Sequence, residues 1–302
     1  MFYLNKGASY GIYGNFKKAI DNYLEVIKWS TKQKNDRLLN IAIHNIGSLK
    51  KRLGKYKEAK VLFKRCMSQS IDKDKMTRGD TLRYLGNMHD LIHTYRLSNQ
   101  IDSMSIFNKQ GLVFSKKEEI KCLFELNDLI LKYYKGEYSV IITQADTIVL
   151  EMLKPKNRYF LWKSDLINAY LYQGKSYEAL SDTENAIKYY KKIDSIVHVS
   201  NYVVPETRWV YKRLIQHHKS LGDRDQQLVY IDKLLRSDSI LYSNHKYVSD
   251  KLIKEYDTPN LLKEKERLIA SLEGDKKRSS GNVLVLSLFL LVNMGGCWVL
   301  LL

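Results

Sequence analysis

The chain has 302 residues, 44% of them hydrophobic and 27% charged, with only 3 prolines and 15 glycines. These proportions exclude a disordered chain, and so few turn residues argue against a sheet-rich fold and for long helices. The formal net charge of +17 favours anionic partners, yet basic residues alternate with acidic ones at helical spacing, which reads as helix surface rather than a nucleic-acid-binding arm.

The first twenty residues lack the basic start and apolar run of a secretory signal. A pattern then repeats. GNFKKAIDNY at 14–23 and GKYKEAKVLF at 54–63 both read Gly, x, aromatic, x, x, Ala, x, x, x, aromatic. A glycine stands twelve residues upstream of each alanine, Gly7 before Ala19 and Gly47 before Ala59. The first copy uses Gly7, Tyr10, Gly14, Phe16, Ala19 and Tyr23. The second uses Ile46, Gly47, Gly54, Tyr56, Ala59 and Phe63, with Lys50 where an aromatic is expected. Weaker copies follow through Tyr95, Asn99, Ile101 and Met104; through Gly136, Tyr138, Ile141 and Ala145; through Tyr170, Gly174, Ala179 and Ala186; and through Gly222, Gln227 and Ile231. Taking positions 19, 59, 104, 141, 179 and 227 as equivalent gives intervals of 40, 45, 37, 38 and 48 residues. Pro155 and Pro205 fall between later copies, each placed to open a helix.

Residues 1–256 therefore resemble the tetratricopeptide repeat, a helical hairpin with small residues where its two helices cross, aromatics in the wider gaps and a Gly-x-aromatic turn. The resemblance implies an all-α solenoid with no sheet, with Gly47 and Ala59 facing each other across one hairpin. The intervals exceed the usual repeat of about 34 residues, which implies longer helices. In this family the first helix of each hairpin lines a concave groove that binds a protein or peptide. The implied groove residues are His44, Ser48 and Lys51; His89, His93 and Arg96; Leu126, Ile130 and Tyr133; Ser164, Asn168 and Leu171; and Lys212, Gln216 and Lys219. Basic ends around an apolar middle suit an extended acidic or amphipathic peptide. Some members grip a peptide's terminal carboxylate with Lys, Asn and Arg. Here Asn45 matches, but Leu4, Ala8, Gly86 and Asp90 occupy the other positions, so that mode is not expected.

After the repeats, Pro259 is expected to interrupt a closing helix. A charged stem follows at 257–280, where Leu261, Leu268 and Leu272 share a face and permit a short two-helix stem, and with it a homodimer. Residues 283–302 carry no charge, and twenty helical residues rise about 30 Å, the thickness of a bilayer core. The expectation is a single-pass membrane chain, with a transmembrane helix at 281–302 contacting lipid. Lys276, Lys277 and Arg278 would put the repeats in the cytoplasm. The layout also resembles bacterial membrane regulators with repeats ahead of one span, which implies repeats on the outer side, so the side stays open. Met1 already lies within the first repeat helix and the apolar run ends at Leu302, so the expectation is a partial reading of a longer protein.

No phosphate-binding, nucleophile-elbow or HExxH motif occurs, and no enzyme activity, cofactor or small-molecule substrate is expected. Cys66, Cys122 and Cys297 are too scattered for a zinc site or disulfide framework. His89 and His93 have metal-ligand spacing but no third ligand, so no metal is expected either. The functional reading is a membrane-anchored adaptor or sensor that binds a protein segment. The alternative is the sensor half of a truncated membrane-bound helix-turn-helix regulator.

Overall fold

Each hairpin turn holds one residue in the left-handed backbone region: Gly14, Gly54, Asn99, Gly136, Ser181 and Gly222, with φ between 56° at Asn99 and 81° at Gly136. Glycine reaches this region without a Cβ penalty and asparagine tolerates it, whereas at Ser181 it is strained. The computed structural model describes residues 2–69, 76–116, 118–154 and 163–299, with side chains through residue 279. Around these six turns, twelve helices pair into six hairpins among the described residues. These are α1 (Phe2–Ile12) with α2 (Phe16–Lys32), α3 (Asp36–Arg52) with α4 (Tyr56–Ser68), and α5 (Arg78–Leu97) with α6 (Ile101–Phe114). They continue with α7 (Lys121–Tyr134) and α8 (Tyr138–Met152), α9 (Lys163–Ala179) and α10 (Thr183–Ser200), and α11 (Pro205–Ser220) and α12 (Arg224–Leu252). No strand occurs among the described residues, and the fold is an all-α helical-hairpin solenoid.

Local chemistry starts these helices where the sequence places them. The side chains of Asn15, Asn35 and Asp182 accept backbone N–H groups at the starts of α2, α3 and α10, and Thr77 forms a capping box with Asp80 on α5. Pro205 opens α11 at a position that needs no N–H donor. Pro155 lies outside the described residues.

Small residues then set how closely the helices approach. A Cβ added to Gly7 would stand 2.7 Å from Tyr23, one on Gly47 2.9 Å from Phe63, and one on Gly174 2.3 Å from Tyr190. The first helix of these hairpins thus receives an aromatic ring from the second. The nearest neighbour of Gly47 is therefore Phe63 rather than Ala59, although Ala59 is itself fully buried, as is Ala19. Lys50, standing in an aromatic position, is buried and forms an ion pair with Glu58 on the second helix of its hairpin. Tyr56 opens that second helix after the Gly54 turn.

One register differs from the sequence reading. Ala179 is an exposed residue at the end of α9, and the turn follows at Ser181. Gly174 is thus inside the first helix, and buried Ala186 takes the place that Ala19 and Ala59 hold in their repeats. A turn without glycine, beside a glycine inside a helix, produced the shift. Gly222 is a true turn glycine.

The chain divides into two units, Met1–Ser249 and Asp250–Leu302. In the second, the end of α12 passes into a π-helical turn at Ile253–Asp257 and then α13 (Thr258–Val299). Pro259 does not break the helix as expected. The wider π turn just upstream absorbs the hydrogen bond that proline cannot donate. Leu261, Leu268 and Leu272 are all exposed.

The expectation of a single-pass membrane chain is overturned. Among the described residues, no helix is long and apolar enough to cross a membrane. Residues 281–299 are not a separate element but the last part of α13, whose preceding turns carry Glu273, Asp275, Lys276, Lys277 and Arg278. The side chains of 280–299, and residues 300–302, lie outside those described.

Candidate binding site on the concave face

The first helices α3, α5, α7 and α9 touch one another in succession, so their facing side chains converge. Several sequence-implied groove residues meet here around Asp90 of α5. Ser48 Oγ donates to Asp90 Oδ2 at 2.9 Å, His44 Nε2 lies 3.2 Å from the same oxygen, and Lys51 pairs with Oδ1. His44 Nδ1 stands 2.8 Å from Asn87 Oδ1, so both ring nitrogens face acceptors. Burial opposes ionisation of Asp90, but Lys51, then His44 and His89, hold its carboxyl well below the usual range. His44, Ser48, Lys51, His89, Asp90 and Asp165 line a cavity of about 120 Å³, the volume of one side chain or a few waters.

His89, His93 and Arg96 are not open groove residues as the sequence implied. Each is buried, and together they bridge α5 to α9. His89 Nε2 lies 3.1 Å from Asp165 Oδ1, while Asn127 Nδ2 donates to Nδ1 at 3.2 Å. His93 Nε2 accepts from Asn168 at 3.0 Å and also from Arg96. Arg96 donates further to Tyr172 at 3.0 Å and Asn168 at 3.1 Å. Burial first, then Arg96 and Lys51, pushes the His93 imidazole well below its ordinary value, so it stays neutral. Leu126, Ile130 and Leu171 are buried as well, so the apolar middle of the groove is core. Lys212 and Lys219 of α11 are exposed and lie outside the cavity. The row of basic residues therefore does not form one continuous surface. Helices that touch across the concave side leave no room for exposed groove residues between α5 and α9.

Asp165 was missed in the sequence. Its only signal is a place on the Ser164/Asn168 face of α9, next to positions already singled out. Other chemistry is muted. Burial pushes the Cys66 and Cys122 thiols up to about 12 and about 11, which leaves both unreactive. No cluster of three metal-ligating side chains occurs among the described residues.

A solenoid of helical hairpins closed by small–aromatic pairs is the class of interaction scaffold that this geometry defines. Family models described as tetratricopeptide repeat match residues 42–70, in the α3–α4 hairpin, and 168–195, in α9–α10. The chain carries tetratricopeptide repeats in these two segments, a fold that is typically a non-catalytic scaffold for protein–protein interaction. No curated protein matches it. Among solved structures, it is similar to BtubC (BKLC) from P. vanneervenii at 12% identity and a TM-score of 0.49, covering 75% of this chain and 92% of that one. It is also similar to a Podosopora anserina putative kinesin light chain with nearly identical TPR-like repeats, at 13% identity and a TM-score of 0.39, covering 66% and 94%. A singly substituted form of that protein gives 14% identity and a TM-score of 0.41, covering 66% and 93%.

Proposed function

We propose that the chain is an adaptor or sensor whose concave cavity between α3 and α5 takes one polar side chain of a partner protein segment. The observation that carries this reading is the convergence of His44, Ser48 and Lys51 on Asp90 at the wall of a small cavity. A side chain entering there would exchange hydrogen bonds with groups already oriented, which lowers the ordering cost of binding. An acidic side chain is the favoured entrant. Lys51 can extend its ion pair from Asp90 to it, and the surplus of +17 over the chain draws acidic segments in.

The test is a fluorescence-anisotropy titration of the full chain against labelled acidic decapeptides that differ in one central residue. Lys51→Glu should weaken binding about tenfold or more, while Lys188→Glu, exposed on the second helix α10, should change it less than about twofold. Arg96 is unsuitable for this comparison, because reversing a buried charge would unfold the scaffold. Equal effects at Lys51 and Lys188 would reduce the interaction to diffuse electrostatics and remove the reading.

A further inference from the structure

Within the first unit, the first two hairpins meet the last one. Lys17 Nζ on α2 donates to Ser243 Oγ on α12 at 2.6 Å, and Tyr247 of α12 donates to the Asp21 carboxylate at 2.9 Å. Between these elements lies a second cavity, of about 460 Å³, which adjoins the Asp90 cavity at Phe16, Leu49 and Arg52 but does not include Asp90. That volume falls in the range of small-molecule pockets, about 300–1,000 Å³. Its wall is mainly apolar: Phe16, Leu49, Leu53, Val203, Leu241 and Val248.

Two guanidinium groups reach this cavity, and they differ in one respect. Arg208 is paired with Asp238, its Nε 2.6 Å from Oδ1. Arg52 has no carboxylate partner among the described residues. It donates to the Tyr202 hydroxyl and lies over the rings of Phe16, at 4.3 Å, and Tyr202, at 5.2 Å. The two aromatic rings hold the planar guanidinium in place, and its remaining donors are left for a ligand. An arginine fixed in this way, beside an apolar hollow, recognises an anion attached to a hydrocarbon body.

We propose that this cavity is a binding site for a small amphiphile with an anionic head, its apolar part between α3, α11 and α12 and its head on Arg52. The site shares Phe16, Leu49 and Arg52 with the concave cavity proposed above, but it does not include Asp90 and does not depend on a peptide partner. Because its wall is built from both ends of the first unit, an occupant would also hold those ends together.

Decanoate is the probe, titrated into the full chain by isothermal calorimetry, with decanol as the uncharged match. Saturable one-to-one binding of decanoate is expected, with decanol at least about tenfold weaker, since a hydrogen bond to a charged group contributes that much. Arg52→Gln should weaken decanoate by about tenfold or more and leave decanol unchanged. Leu241→Trp, which fills the hollow, should abolish both, and it decides the matter should Arg52→Gln lose its helical circular dichroism spectrum. Lys219→Gln, exposed and remote from the cavity, should leave both unchanged. No saturable decanoate binding, equal affinity for decanol, or binding that survives Leu241→Trp would each overturn the proposal.

Discussion

His93 shows how far a single side chain departs from its solution behaviour in this fold. It is buried, accepts hydrogen bonds at Nε2 from Asn168 and Arg96, and stacks on His89 with ring centres 5.7 Å apart. Unfolded, it takes a proton near pH 6.5. Folded, burial and the charges of Arg96, Lys51, His89 and Arg52 keep it neutral well below that. Below pH 6.5 the unfolded chain therefore binds more protons, and stability falls as pH drops, by up to about 1.4 kcal/mol per pH unit. Asp90, whose carboxyl is held low, contributes stability that is lost only below about pH 4. Urea midpoints should thus decline between pH 7 and pH 5, and His93→Asn should flatten the decline. An unchanged slope in the variant would assign the proton to another group. The four-residue spacing of His89 and His93 was legible in the sequence. Their pairing with Asp165 and Asn168 was not, because it spans more than seventy residues and forms only when three hairpins stack.

At the scale of the helix pair, glycine has two opposite meanings here. Inside α9, a Cβ on Gly174 would lie 2.3 Å from the buried ring of Tyr190, so Gly174→Ala must push the helices apart. Overpacking of this kind costs about 1–3 kcal/mol. Gly86 sits inside α5 with nothing within 4 Å of an added Cβ. Gly86→Ala should therefore stabilise by about 0.4–1 kcal/mol, because the unfolded chain loses freedom that the helix never used. Chemical denaturation of the two variants should move in opposite directions, and a loss in both would mean that α5 needs its backbone accessible on that side. The hairpins themselves were legible because small and aromatic residues recur at fixed spacing in the first two copies. The fifth was read a step out of register, because Ser181 performs in its turn what glycine performs in Gly14 and Gly54. Nothing in the type of residue 181 announces a positive φ.

Over the first unit as a whole, the deciding feature is the meeting of its first and last hairpins, which no repeat pattern encodes. Intervals longer than the usual repeat told of longer helices, but curvature accumulates from each small crossing angle and appears only when the helices are stacked. The meeting combines apolar and aromatic contacts around Phe16 with polar bonds. Lys17 bonds Ser243 at 2.6 Å, Tyr247 bonds Asp21 at 2.9 Å, and Gly14 is close enough that its added Cβ would stand 3.3 Å from the Asn201 carbonyl. The single entering side chain proposed above matches the size of the cavity beside Asp90. Removing both polar bonds with Ser243→Ala and Tyr247→Phe should cost the closed form about 1–3 kcal/mol, two net hydrogen bonds' worth. The population of the open form should rise roughly 5- to 150-fold, since about 1.4 kcal/mol is a factor of ten in an equilibrium constant. Hydrogen exchange should then accelerate in α1, α2 and residues 238–249, while α5, α7 and α9, tied by the buried His89–Asp165 and Arg96–Tyr172 bonds, keep their protection. Unchanged exchange in α1 and α2 would show that α3 alone holds the first hairpin, and that the two ends touch without supporting each other.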